Sequence, residues 1–229
     1  MRLFTATLLA LTLISAHDAQ GATGLATALS KAAPDADPAV LQLAVAAVDC
    51  AAAEGNTASA RLAVIDYSRP STLPRLWVFD LEHQTLLFQE LVAHGRNSGD
   101  NQARYFSNEP GSLASSIGLF RTSETYIGDN GYSLRMDGLE PGFNDRARER
   151  AIVMHGASYV TPDIAHSLGR LGRSWGCPAI RRSVAKPLID ALKQGQYLFS
   201  YYPDPHWLNT SHYLNCHGSH DTVASIASP

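Results

Sequence analysis

The chain has 229 residues, of which 45% are hydrophobic and 17% charged, and its formal net charge is -3. These are the proportions of an ordinary globular protein, long enough for one core and a small satellite. No basic block stands out, which excludes nucleic-acid binding through a bulk field, so any partner must be recognised at a site.

The first residues concern the compartment. Arg2 supplies a positive charge, residues 3–14 are almost wholly apolar, and Ser15, Ala16, Ala19 and Gly21 supply small side chains after them. That order reads as a secretory signal peptide over residues 1–21. An apolar run of about 12 residues is well short of the roughly 20 that span a bilayer, so no stable membrane insertion is expected of the exported chain. Three cysteines follow, Cys50, Cys177 and Cys216. An odd number in an oxidising compartment leaves at least one thiol free or shared between molecules. The economical reading pairs Cys50 with Cys216 and leaves Cys177 reduced. Three unpaired thiols are the alternative, because connectivity does not follow from sequence.

Residues 22–57 read as an N-terminal helical segment. Its helix opens at Asp37-Pro38, where the carboxylate can cap free N–H groups and proline's missing N–H costs nothing. Val40, Leu41, Val45 and Val48 then recur at helical spacing, and Gly55 closes the run. Residues 58–203 read as the main domain. Strands are predicted over 62–66, 75–79 and 85–92, with shorter ones near 118–122 and 132–136. The Gly-, Ser- and Asn-rich stretch 95–144 looks like loops on a rigid scaffold. An apolar strand at 151–154 delivers His155-Gly156, a helix covers 183–193 and ends at Gly195, and a last strand covers 197–201. His166, between the two, reads as an exposed loop residue. Residues 204–229 read as a polar tail. Its histidines, His206, His212, His217 and His220, surround Cys216 without a recognised ligand spacing, so neither a metal nor another cofactor is expected.

The chemistry concentrates in His155-Gly156 and Ser174-Trp175-Gly176-Cys177-Pro178. A cysteine attacks as thiolate, and its ordinary pKa leaves most of it protonated at neutral pH. An imidazole can take that proton once a third group has fixed its tautomer. His155 stands at the end of a predicted strand, a rigid place from which to present a base. Gly176 allows close approach and can turn two main-chain N–H groups inward, as an acyl transfer's oxyanion needs. Asp145 and Arg150 are expected to pair structurally.

Together with Phe106-Ser107-Asn108, Ser115-Ser116-Ile117-Gly118, Tyr126-Ile127-Gly128, Asn144-Asp145, Arg150 and Gly172-Arg173, these motifs resemble the L,D-transpeptidase catalytic domain family over about residues 60–202. The family's signature is His-Gly, a variable stretch, then Ser/Thr-His-Gly-Cys, and this chain is similar to the variant branch that reads Ser-x-Gly-Cys-Pro. The resemblance implies a mainly β fold with flanking helices, a sandwich or barrel with an N-terminal support helix. It also implies periplasmic or cell-wall location and peptidoglycan stem peptides as substrates. Cys177 is then the nucleophile and His155 the base, with the Gly156 carbonyl holding the other ring nitrogen. Ser174 shapes the turn, Gly176 and Cys177 N–H groups face the oxyanion, and Trp175, Arg173 and Tyr159 contact substrate. Two departures stand out. Trp175 replaces the family's second histidine, and Ala179 replaces an arginine after the cysteine, a role that Arg173, Arg181 or Arg182 could take. An inactive wall-binding module, or a hydrolase of an existing wall linkage, is the competing expectation.

Overall fold

The structure, a computed structural model, describes residues 15–216. Most of the signal-peptide reading, on residues 1–14, lies outside the described residues, as do His217 and His220. Two helices come first, α1 (Ser15–Ala32) and α2 (Pro38–Ala53). Asp37 caps α2 as its sequence suggests, its carboxylate accepting the Ala39 N–H at 2.9 Å, and Pro38 occupies the first turn. α2 packs on the main domain, as the support helix expected of it. Val40, Leu41, Leu43, Ala44, Val45, Ala47 and Val48 are all buried, so it is wrapped on most sides. α1, most of which falls in the helical segment expected over 22–57 although the sequence does not mark its own bounds, provides part of that wrapping through Ala26 and Leu29, with Ala33 just beyond its end.

Nine strands follow: β1 (Arg61–Asp66), β2 (Leu76–Asp80), β3 (Thr85–Glu90), β4 (Val92–Ala93), β5 (Gly118–Gly128), β6 (Gly131–Gly138), β7 (Val153–Ala157), β8 (Ala179–Arg181) and β9 (Tyr197–Tyr201). The single strand expected over 85–92 is broken at Leu91. β5 and β6 form a hairpin longer than the sequence suggests, with an irregularity between Thr122 and Thr125. The strands form one sheet in the order β3-β2-β1-β9-β5-β6-β7-β8-β4. β3 and β4 stand at opposite ends of that order although only Leu91 separates them in the chain. The two edges therefore meet, and the sheet curls on itself like a barrel, which removes exposed edges. The fold is mainly β with flanking helices, as the sequence implies.

Both faces of the sheet are covered, so its central strands are apolar throughout instead of alternating. On β1, Leu62 and Val64 enter one core while Ala63 and Ile65 enter the other. The first core lies under α1 and α2 and includes Trp77, Phe79 and Phe199. The second is closed by α4 (Arg182–Leu192) through Leu188, Ile189 and Leu192. A short helix, α3 (Pro162–Leu168), carries His166, which is exposed on a helix and not in the loop anticipated.

The polar-tail reading is corrected as far as Cys216. α5 (Pro205–Thr210) buries Trp207 and Leu208 in the first core, and Leu214 follows them. Its polar atoms converge on the buried Glu140, whose carboxylate accepts the Trp207 indole N–H at 2.9 Å, the Ser211 hydroxyl at 2.5 Å and the Leu119 N–H at 2.7 Å. His206 packs on Phe143, and His212 pairs with Glu54. Cys50 of α2 and Cys216 are joined in a disulfide with a Cα–Cα distance of 5.8 Å, and Cys177 is free. Among the described residues no helix is long and apolar enough to cross a membrane.

Candidate active site

His155 sits in the middle of β7, a strand whose first three residues are buried between β6 and β8. The ring Nδ1 lies 3.2 Å from the Gly156 carbonyl oxygen. A carbonyl only accepts, so Nδ1 carries the proton and Nε2 carries the lone pair. Burial pushes the imidazole below its usual pKa, and the Gly156 bond opposes that only in part. The ring is therefore neutral near pH 7, as a base must be.

Cys177 lies in the turn that leads into β8, the strand beside β7. β7 and β8 run parallel with His155 opposite Ala179, and Cys177 precedes Ala179 by two residues. The Val153 N–H donates to its sulfur at 3.4 Å, and the thiol points to the Ala151 carbonyl at 3.6 Å. Val153 and His155 are two residues apart, about 7 Å along β7, so the sulfur is held against the strand that carries the ring. Among the described residues no hydrogen bond joins them directly. Burial raises the thiol pKa, while the Val153 N–H and the Arg150 charge pull it the other way. The resting site is thus a thiol beside a neutral imidazole, and not a preformed ion pair.

The turn before Cys177 is held by Ser174. Its hydroxyl donates to the Cys177 carbonyl at 2.6 Å and accepts the Gly176 N–H at 3.1 Å. This corrects one expectation: the Gly176 amide is engaged inside the turn and does not face the cleft. Gly176 has φ +124°, and a Cβ there would lie 2.7 Å from Ile152 Cδ1 and 2.8 Å from the Ala114 oxygen, so only glycine fits. The turn is tied outward as well, because the Ser174 N–H donates to the His94 carbonyl at 3.0 Å and Ser115 Oγ donates to the Gly176 carbonyl at 3.0 Å.

The three candidate substrate contacts differ. Trp175 is 74% exposed on the rim of this turn. Tyr159 is half-buried against Gly172, and burial with the nearby Cys177 pushes its phenol up to about 12. Arg173 turns away to the loop at Asp100, donating to that carboxylate at 2.8 Å and to the Gly99 carbonyl at 3.0 Å. Arg181 is likewise committed, in a two-pronged pair with Glu90 at 2.7 and 2.6 Å. Arg182 opens α4 and is exposed.

Several residues went unrecognised in the sequence. The expected Asp145–Arg150 pair is not formed. Asp145 accepts from Asn108 Nδ2 at 2.8 Å and from the Gly142 N–H at 2.6 Å. Arg150 instead reaches the loop 107–116, donating to Ser116 Oγ at 2.5 Å, the Ala114 carbonyl at 2.6 Å and Ser112 Oγ at 3.1 Å. Behind the turn, the fully buried Arg75 donates to the Val92 carbonyl at 2.9 Å and to His94 Nδ1 at 2.7 Å. His94 must then carry its proton on Nε2, which lies 3.2 Å from the Gly99 oxygen. Burial and Arg75 hold this imidazole down to about 4, so it is neutral. One sequence signal pointed here, the dipeptide His94-Gly95 at the end of an apolar strand, which parallels His155-Gly156. As for metals, Cys50, Glu54 and Cys216 are the one group of potential ligands gathered among the described residues, and its two sulfurs are bonded to each other.

Comparison with known proteins gives two findings. The family described as L,D-transpeptidase catalytic domain matches residues 32–201. Among solved structures, an L,D-transpeptidase from Mycobacterium smegmatis is 14% identical with a TM-score of 0.40, over 64% of this chain and 61% of that one. L,D-transpeptidase 1 of Mycobacterium tuberculosis is 14% identical with a TM-score of 0.35, over 64% and 63%. An L,D-transpeptidase from Stackebrandtia nassauensis is 13% identical with a TM-score of 0.38, over 79% and 90%. This chain therefore spans less than two thirds of the two mycobacterial proteins. No curated protein matches it.

Proposed function

Because this chain belongs to the L,D-transpeptidase catalytic domain family, we propose that it carries out acyl transfer on peptidoglycan stem peptides through a thioester on Cys177. The observation that carries this reading is a free thiol bonded to the Val153 amide of the strand that also carries a neutral, tautomer-fixed imidazole two residues on. His155 Nε2 accepts the thiol proton as sulfur adds to the carbonyl between a third-position diamino acid and a terminal D-residue. The Cys177 N–H faces the oxygen that gains the charge. As the tetrahedral centre collapses, the imidazolium returns its proton to the leaving amine, and a thioester remains. An amine then gives a cross-link or a protein attachment, and water gives a shortened stem. Trp175 and Tyr159 wall the cleft, and the enzyme works outside the cytoplasmic membrane after loss of its leader.

A second reading, an inactive wall-binding module, is favoured by Trp175 in the place of a histidine and by the raised thiol pKa. Incubation with a disaccharide-tetrapeptide separates the two. The enzyme releases the terminal D-residue and shows a Cys177 thioester by mass spectrometry, both lost in Cys177→Ala. Binding of the fragment with no released residue would establish the module instead.

A further inference from the structure

Arg150 is held in an unusual way for a half-buried cation. Its hydrogen bonds go to the Ser107 and Ala114 carbonyls and the Ser112 and Ser116 hydroxyls, all neutral acceptors. No carboxylate pairs with it among the described residues, although its neighbour Arg146 pairs with both Glu109 and Glu149. Burying an unpaired guanidinium is costly unless another negative charge answers it.

We propose that Arg150 is a positioning residue for charge, whose fixed cation stabilises the Cys177 thiolate as the proton leaves. The proposal rests on Cys177 being the nucleophile. Two contacts bring the groups together. The Ala151 carbonyl, one residue on from Arg150, receives the Cys177 thiol at 3.6 Å. The Ala114 carbonyl, bonded to Arg150 Nη2 at 2.6 Å, is also the wall against which Gly176 packs, where an added Cβ would lie 2.8 Å away. The attraction is mutual: Arg150 draws the thiol pKa down, and the thiolate draws the guanidinium pKa up against its burial.

The other titratable groups that act with the sulfur are Tyr159 beyond β7 and Tyr67 beyond β1, and His155 stands on β7 two residues from the Val153 amide that holds the sulfur. The two phenols are pushed up to about 12 by burial and are neutral. His155 becomes charged only by taking the thiol's own proton. Arg146 and Glu109 lie near Arg150 and act on it with opposite signs. Arg150 is thus the one permanent charge among the groups that act on the thiol. Trp175 at the family's histidine position brings no charge, which gives this cation its place in the chemistry.

The test is the pH profile of Cys177 alkylation by iodoacetamide on the full chain, which needs no stem peptide. Arg150→Gln should move the midpoint up by about one pH unit, slow the neutral-pH rate about tenfold and leave the high-pH plateau unchanged. Arg150→Lys, which keeps the charge and loses the fork, should stay within about a third of that shift. A purely structural arginine would lower the melting temperature in both variants without moving either midpoint, and that result overturns the proposal. If Arg150→Gln does not fold, Arg150→Lys decides: a shift of about a full unit in it also overturns the proposal. A midpoint that moves in Arg150→Gln, in a protein that releases no D-residue, would sink the stem-peptide reaction and leave this inference standing, because alkylation tests Cys177 as a nucleophile without that substrate.

Discussion

Around α2 the contacts are apolar: Leu41, Val45, Trp77, Phe199 and Trp207 fill one core, and a disulfide closes its rim. Around Cys177 order comes from hydrogen bonds between distant segments, with Arg75, His94, Ser115, Arg150 and Ser174 each tied to main-chain carbonyls. Burial of apolar area is non-directional and tolerates small shifts, so it suits a flank that only has to be stable. Hydrogen bonds fix direction, so they suit a wall that must aim a sulfur and a ring. The two regions therefore differ in what disturbs them. Volume changes injure the flank, and loss of a single acceptor or a change in pH injures the site.

Glu140 is the exception that tests this contrast most severely, since it is a buried carboxylate inside the apolar flank. Glu140→Ala orphans the Trp207 indole and the Leu119 amide together, and should cost about 3–5 kcal/mol in chemical denaturation. A change under about 1 kcal/mol would mean that apolar packing alone holds α5. Next in size is the staple. Replacing Cys50 and Cys216 together by serine should lower stability by about 2–4 kcal/mol while Cys177 alkylation keeps its rate.

The site should answer to acid before the flank does. His94 is held down to about 4, so the unfolded chain binds the extra proton first as pH falls. Its contribution is complete above the unfolded value near 6.5 and should be reduced by about 2 kcal/mol at pH 5, read as a falling urea midpoint. His94→Asn should flatten that slope. Smallest of all is Trp175→Ala. At 74% exposure it should change stability by less than about 0.5 kcal/mol, and its effect should fall on the KM for the stem peptide.

What the sequence discloses follows the same division. The α2 register, its Asp37 cap and the strands ending at Asp66 and Tyr201 are local patterns, and they stand where period and turn residues put them. The sequence also puts His155-Gly156 on an apolar strand, and the second motif ends two residues before β8, the parallel neighbour of that strand. The bounds of α1 escaped because an alanine-rich run has little apolar contrast to read. Trp207 escaped because the histidines and polar residues around it mask a short helix. The bond from Arg150 to the Ala114 carbonyl spans 36 residues, and a carbonyl acceptor leaves no mark on composition. The loss of the Gly176 amide to Ser174 is local and still illegible, since a serine two residues before a glycine can cap it or not.

The account depends on the sulfur of Cys177 being acylated with the ring of His155 as its base, and a carbapenem measures this directly. Intact mass spectrometry should show one adduct, mapped to Cys177, absent in Cys177→Ala and formed at least about a hundredfold more slowly in His155→Gln. An adduct that survives in Cys177→Ala, or an unchanged rate in His155→Gln, would contradict it.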